Sequence, residues 1–143
     1  MVIEIIISEF DFRVIRKLRE KRILADLTQE ELSAKVGVSE GFFGNVENPK
    51  QPQKLNMRML ARVAKALKIK SYSELLPENI VSNDLVKIRL KLIKTNKRKE
   101  KDDNGNPVKN MEIISIKPMS EKEISEYIGS KEKNKFLRVI SEE

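Results

Sequence analysis

Apolar and polar positions change period several times along the chain, and the changes mark its elements. Val2-Ile-Glu-Ile-Ile-Ile7 is rich in β-branched residues and reads as a short strand or arm. Ser8 with Asp11 resembles a capping box, and Phe12, Ile15, Leu18 and Arg19 follow at helical spacing, predicting a helix over 9–22. Thr28-Gln-Glu-Glu31 is a sharper start, because the threonine oxygen and the glutamate three residues on can bond each other's amides. A second helix over 28–36 follows, with Leu32 and Val36 on one face, and Gly37 ends it where a left-handed residue is needed. Ser39 opens a third short helix reaching Glu47, closed by Asn48-Pro49. Asn56 caps a fourth, with Leu60, Ala64 and Leu67 on one stripe and Arg58, Arg62 and Lys65 on another. Tyr72–Leu76 gives a last helical turn before Pro77.

From Ser82 the period drops to two. Val86, Ile88, Leu90 and Leu92 alternate with Lys87, Arg89 and Lys91, the rhythm of a half-buried strand, and Met111–Ile116 can be the returning one. Between them the chain is highly polar, with Asp103-Asn-Gly-Asn-Pro107 as a turn signal. The cations Lys94, Lys97, Arg98, Lys99 and Lys101 read as a flexible, solvated loop, with a basic wing entering a groove as the functional alternative. Ser120 with Glu123 starts a short helix ending at Gly129, and Phe136–Ile140 is a further mixed segment. These shifts predict two parts, 1–80 and 81–143. A two-stranded hairpin is marginal alone in water, so the second part must pack on the first or on another subunit. We expect the hairpin over 84–116 to serve self-association, pairing with Val2–Ile7 within or between subunits.

Charge and composition narrow the chemistry. The 143 residues carry 29 Lys and Arg against 22 Asp and Glu, a net of +7 that attracts polyanions. Neither Cys nor His occurs, which excludes thiol nucleophiles, disulfides, Cys/His zinc sites and histidine bases. No nucleophile is grouped with a base and no glycine loop is built to cradle phosphate, so the chain reads as a binding protein, not an enzyme, without cofactor or metal. The apolar start is interrupted by Glu4, is too short for a membrane span and lacks the marks of a signal peptide, predicting a cytoplasmic protein.

Thr28-Gln-Glu-Glu-Leu-Ser-Ala-Lys-Val-Gly-Val-Ser39, Val46-Glu47, Leu60-Ala-Arg-Val-Ala-Lys-Ala-Leu67 and Leu75-Leu76, preceded by Ile15-Arg-Lys-Leu-Arg-Glu20, resemble in order the Cro/CI-type (XRE) helix-turn-helix family over residues 12–77. The resemblance implies a five-helix DNA-binding domain, and with the β-hairpin and short helix read from the pattern beyond it the chain is expected to be mainly α. The resemblance also implies sequence-specific binding of double-stranded DNA, transcription regulation and homodimerisation, with the recognition helix about 39–47 in the major groove. By position, Thr28 and Gln29 would hold a phosphate at the start of the second helix. Ser39, Glu40, Gly41, Phe42 and Asn45 would face bases or backbone, Asn45 being the residue able to pair bidentately with adenine. Glu47 would pair with Arg19 across the core.

Three departures stand out. The link Ile23–Leu27 is longer than the family pattern, and Pro49 stands where a glycine is common. The third is that the recognition helix has no cation, carries Glu40, and contains Gly41 and Gly44. Glycine costs a helix roughly 1 kcal/mol relative to alanine, so two of them suggest a close approach by DNA backbone or by a protein packing on Phe42. Phosphate attraction then falls to Lys35, Lys50, Lys54 and Arg58. The same departures keep open a protein-interaction module, such as an antitoxin-like partner whose helix-turn-helix reads DNA weakly.

Overall fold

A computed structural model describes the whole of Met1–Glu143. The elements run β1 (Val2–Ser8), α1 (Glu9–Leu24), α2 (Gln29–Val36), α3 (Phe42–Glu47), α4 (Met57–Ala66), a 3-10 turn (Tyr72–Glu74), β2 (Leu85–Leu92), β3 (Met111–Pro118), α5 (Glu121–Gly129) and β4 (Leu137–Ser141). The strands form one four-stranded antiparallel sheet, ordered β3-β2-β1-β4. The protein is therefore α+β, and the expectation of a mainly α chain with an appended hairpin is overturned. The reason lies in β1 and β4, which extend the hairpin from its β2 edge into a four-stranded sheet. No helix is long and apolar enough to cross a membrane.

The chain divides into two compact units that a single cut at residue 80 does not separate. One comprises 1–12, 81–94 and 109–143; the other comprises 13–80 and 95–108.

In the first unit β1 is a central strand, paired with β2 on one side and β4 on the other. The register sets Ile3 opposite Leu90, Ile5 opposite Ile88 and Ile7 opposite Val86. Period-two alternation puts all six on one face, and with Phe12 they form the buried core of this unit. On the alternate positions Glu4 pairs with Arg89 at 3.0 Å and Arg138 at 3.5 Å. Both edge strands are irregular. Ile114 of β3 and Ile140 of β4 sit at register shifts, which twist an edge away from further strand pairing. Helix α5 begins at a complete capping box between Ser120 and Glu123, and Lys135 lies over the Tyr127 ring at 4.8 Å.

The second unit is helical. Leu18 of α1, Leu32 and Val36 of α2, Phe43 and Val46 of α3, Met59, Val63 and Ala64 of α4, and Leu75 make its core. The buried face of α4 is thus Met59, Val63 and Ala64, with Leu60 and Leu67 only partly covered. Asn56 caps α4 as its position predicts, accepting from Met59 N at 2.8 Å. The last turn is tied to α1 by Lys17 Nζ donating to Leu76 O at 2.7 Å and by the Lys21–Glu74 pair at 3.4 Å.

Candidate nucleic-acid interface

Helix α2 starts where Thr28 Oγ1 accepts from Glu31 N while Glu31 Oε1 accepts from Thr28 N, both at 3.0 Å. The hydrogen bond from the Thr28 amide holds the Glu31 carboxyl below its usual range, with the Thr28 hydroxyl adding to the effect. Gly37 ends the helix at φ 85°, ψ 35°, and its N–H reaches Ser33 O at 2.9 Å. Arg62 of α4 then donates to Val36 O, placing a cation at the negative end of α2. A Cβ on Gly37 would lie 3.2 Å from that guanidinium, a flexible end that can shift, so it is the left-handed backbone that calls for glycine here.

The chain turns through 37–41 and enters α3 only at Phe42, with the cap two residues later than the sequence predicts. Gly41, not Ser39, holds the cap position. Ser39 contributes a carbonyl that accepts from Phe42 N at 3.0 Å, and no side chain caps the helix. The Phe43 and Val46 side chains are buried, and Phe42 packs edge-on against Phe43 with ring centroids 5.0 Å apart. Ser39, Glu40, Gly41 and Asn45 are exposed, and Phe42 is half-buried, so this group lines the open side of the turn and α3.

The two glycines in this stretch have different reasons. At Gly44 the close neighbour belongs to the chain itself, since a Cβ there would meet Gln29 Oε1 at 3.3 Å. At Gly41 nothing lies within 4 Å of the same position.

Gln29 packs over Gly44, and its Nε2 donates to Glu47 Oε1 at 3.2 Å. One of its two amide N–H groups is therefore engaged inward, and Thr28 spends its hydroxyl on the capping box. Phosphate at this helix start would meet backbone amides with Glu30 and Glu31 alongside. Lys35, Lys50 and Arg58 are exposed, while half-buried Lys54 donates to Gln51 O at 2.9 Å.

Glu47 is buried, and its partner is Arg22, not Arg19. Arg19 and Arg22 lie three residues apart on neighbouring positions of α1, and the helix continues to Leu24, which brings the later arginine to α3. Arg22 is fully buried and all five of its donors are used. Nε and Nη2 donate to Glu47 at 2.7 and 2.8 Å, Nη1 and Nη2 to Glu100 at 2.8 Å each, and Nη1 to Leu27 O at 2.7 Å. Burial opposes the charge, yet the Glu100 and Glu47 hydrogen bonds outweigh it and raise the guanidinium above its ordinary range. Arg19 lacks such bonds, and burial lowers it against the attraction of Glu47 and Glu100.

Sequence reasoning missed Arg22, Arg62 and Glu100. Glu100 lies in the polar run between β2 and β3, where nothing in the spacing sets it apart from its charged neighbours. The chain matches no protein-family model, no curated protein and no solved structure.

Proposed function

We propose that this protein binds double-stranded DNA sequence-specifically in the cytoplasm as a transcription regulator, with α2 lying across the backbone and α3 in the major groove. The observation that carries the reading is the α2–Gly37–α3 arrangement. Two short helices are locked at a left-handed glycine and braced by the Arg22–Glu47 pair, and the outer side of the second is open. A major groove about 12 Å wide admits such a helix. Asn45 is the base reader, with Ser39, Glu40, Gly41 and Phe42 beside it, and Lys35, Lys50 and Arg58 supply phosphate contacts. Lys54 joins them if it releases Gln51.

Selection of bound sequences from random duplexes, followed by titration of the recovered site, tests the proposal. Asn45→Ala should cost about 1–3 kcal/mol on the selected site and almost nothing on random DNA. Failure to enrich any motif would refute it.

Homodimerisation is part of the same reading. Edge strand β3 leaves Ile113, Ile114 and Ile116 exposed, an apolar surface that a second copy would cover. The register shift at Ile114 favours side-chain packing over extension of the sheet. Light scattering checks it, with Ile116→Lys expected to give monomer.

One observation favours a second reading. No cation stands on α3, and Glu40 faces outward, which suits a protein partner better than a polyanion. Absence of any duplex binding by the full chain at low salt would select it.

A further inference from the structure

We propose that the loop joining β2 to β3 is a second DNA-contacting element, a basic wing that grips the phosphate backbone beside the groove occupied by α3. This extends the reading of the helix-turn-helix as a DNA reader and rests on it.

A polar run of this length would ordinarily be solvated and mobile. Here residues 95–108 belong to the helical unit and are fastened to it at two consecutive residues. Glu100 meets Arg22 with both carboxylate oxygens, the fork-to-fork geometry that fixes orientation as well as distance. Lys101 Nζ meets Asp26 Oδ1 at 2.5 Å.

Beyond these anchors the loop closes on itself. Val108 N donates to Glu100 O and Asp102 N to Asn106 O, both at 2.8 Å, and Asp102 Oδ1 accepts from Asn104 N and Asn106 N. Gly105 turns the tip at φ 80°.

The anchoring changes the charge that the loop presents. Glu100 is turned inward onto Arg22 and Lys101 onto Asp26, while Asp102 accepts from backbone amides at the tip and keeps its charge. Lys97, Arg98 and Lys99 remain, three consecutive exposed cations. A turn holds them, with Asn96 accepting from Arg98 N and Lys99 N at 2.9 Å each. Asp103 stands 3.9 Å from Lys99 but is almost wholly exposed, so water screens that pair.

Position supplies the rest. Arg22 joins Glu100 to Glu47, the last residue of α3, and Glu47 also holds Gln29 in the first turn of α2. The anchor is therefore the junction of both helices of the motif. Three residues of chain reach at most about 10 Å from it, a distance comparable to the width of a major groove. A cation on that tether is within reach of the backbone flanking a groove occupied by α3, and phosphate is the anion there.

The test is anisotropy titration of the full chain on selected and random duplexes across a salt series. Two triple variants are compared, K97A/R98A/K99A in the loop and K117A/K122A/K133A, which removes the same charge elsewhere in the chain. The loop variant should bind both duplexes on the order of 10- to 100-fold more weakly at low salt, with the salt slope reduced by about 2–3. The second variant should keep the wild-type slope. If wild type binds and the loop variant keeps its affinity and slope, or both variants lose equally, the wing is overturned and the helix-turn-helix reading stands. If wild type binds no duplex at low salt, both fall together.

Discussion

Replacing Glu47 by alanine should be the most damaging single change in the helical unit. The substitution strips Arg22 of the bonds from Nε and one Nη2 hydrogen, inside a side chain with no exposure. A hydrogen bond to a charged group is worth about 1.5–3 kcal/mol, and breaking one side of a buried ion pair costs about 3–5 kcal/mol. We therefore expect a loss of about 4 kcal/mol, and at roughly 3 °C per kcal/mol a fall in Tm on the order of 10 °C. Glu100→Ala also frees two donors, but its side chain is 16% exposed and water can replace it, so about 1–2 kcal/mol is expected. Urea denaturation followed by circular dichroism measures both. A double-mutant cycle of Glu47 with Arg22 should show strong coupling, and the cycle with Arg19 a weak one. A Glu47→Ala loss under about 1 kcal/mol, or stronger coupling to Arg19 than to Arg22, would refute the account of the triad.

Three further outcomes follow from local geometry. Gly37→Ala should destabilise by about 1–2 kcal/mol, from its left-handed backbone, while Gly41→Ala should leave Tm unchanged and, in a DNA reader, alter only binding; equal effects on Tm would contradict this. Backbone bonds from Thr28, Lys70 and Ser120 respectively hold the Glu31, Glu74 and Glu123 carboxyls below their ordinary 4.5, so their contribution is complete above that pH and disappears as pH falls through the lowered folded values. Urea midpoints between pH 7 and 3 should show that acid limb, and an E31Q/E123Q variant should flatten it. Ending the chain after Pro77 removes both neighbours of β1 and uncovers Ile3, Ile5 and Ile7, so that fragment should aggregate; a monodisperse fragment in light scattering would count against the sheet order.

Features set by neighbours in sequence were legible before the structure. The capping boxes at Thr28 and Ser120, the stop at Gly37 and the alternation of β2 all follow from interactions within a few residues. What escaped reading was non-local. Arg19 and Arg22 are equivalent by helical spacing, and only the packing of α1 on α3 separates them. Glu100 is one charged residue among many until it meets a residue 78 positions away. The central place of β1 could not be inferred from an apolar run alone, because its two neighbours come from distant segments, and β4 has too mixed a pattern to declare itself a strand. In the candidate interface, the exposure of Asn45 and Ser39 was foreseeable from the turn, but the inward bond of Gln29 was not.

The central position of β1 also bears on how the protein is made. Its residues are synthesised before every strand they pair with, first β2 and at the last β4. At about 5–20 residues per second, a ribosome takes on the order of ten seconds to cover that interval. The helical segment 13–80 emerges meanwhile as one continuous stretch of the second unit. Translation thus gives the helices a head start and leaves Val2–Ile7 without a partner on its own chain. In that interval both edges of the strand are open to pairing with another chain, the same strand of a neighbouring nascent copy included.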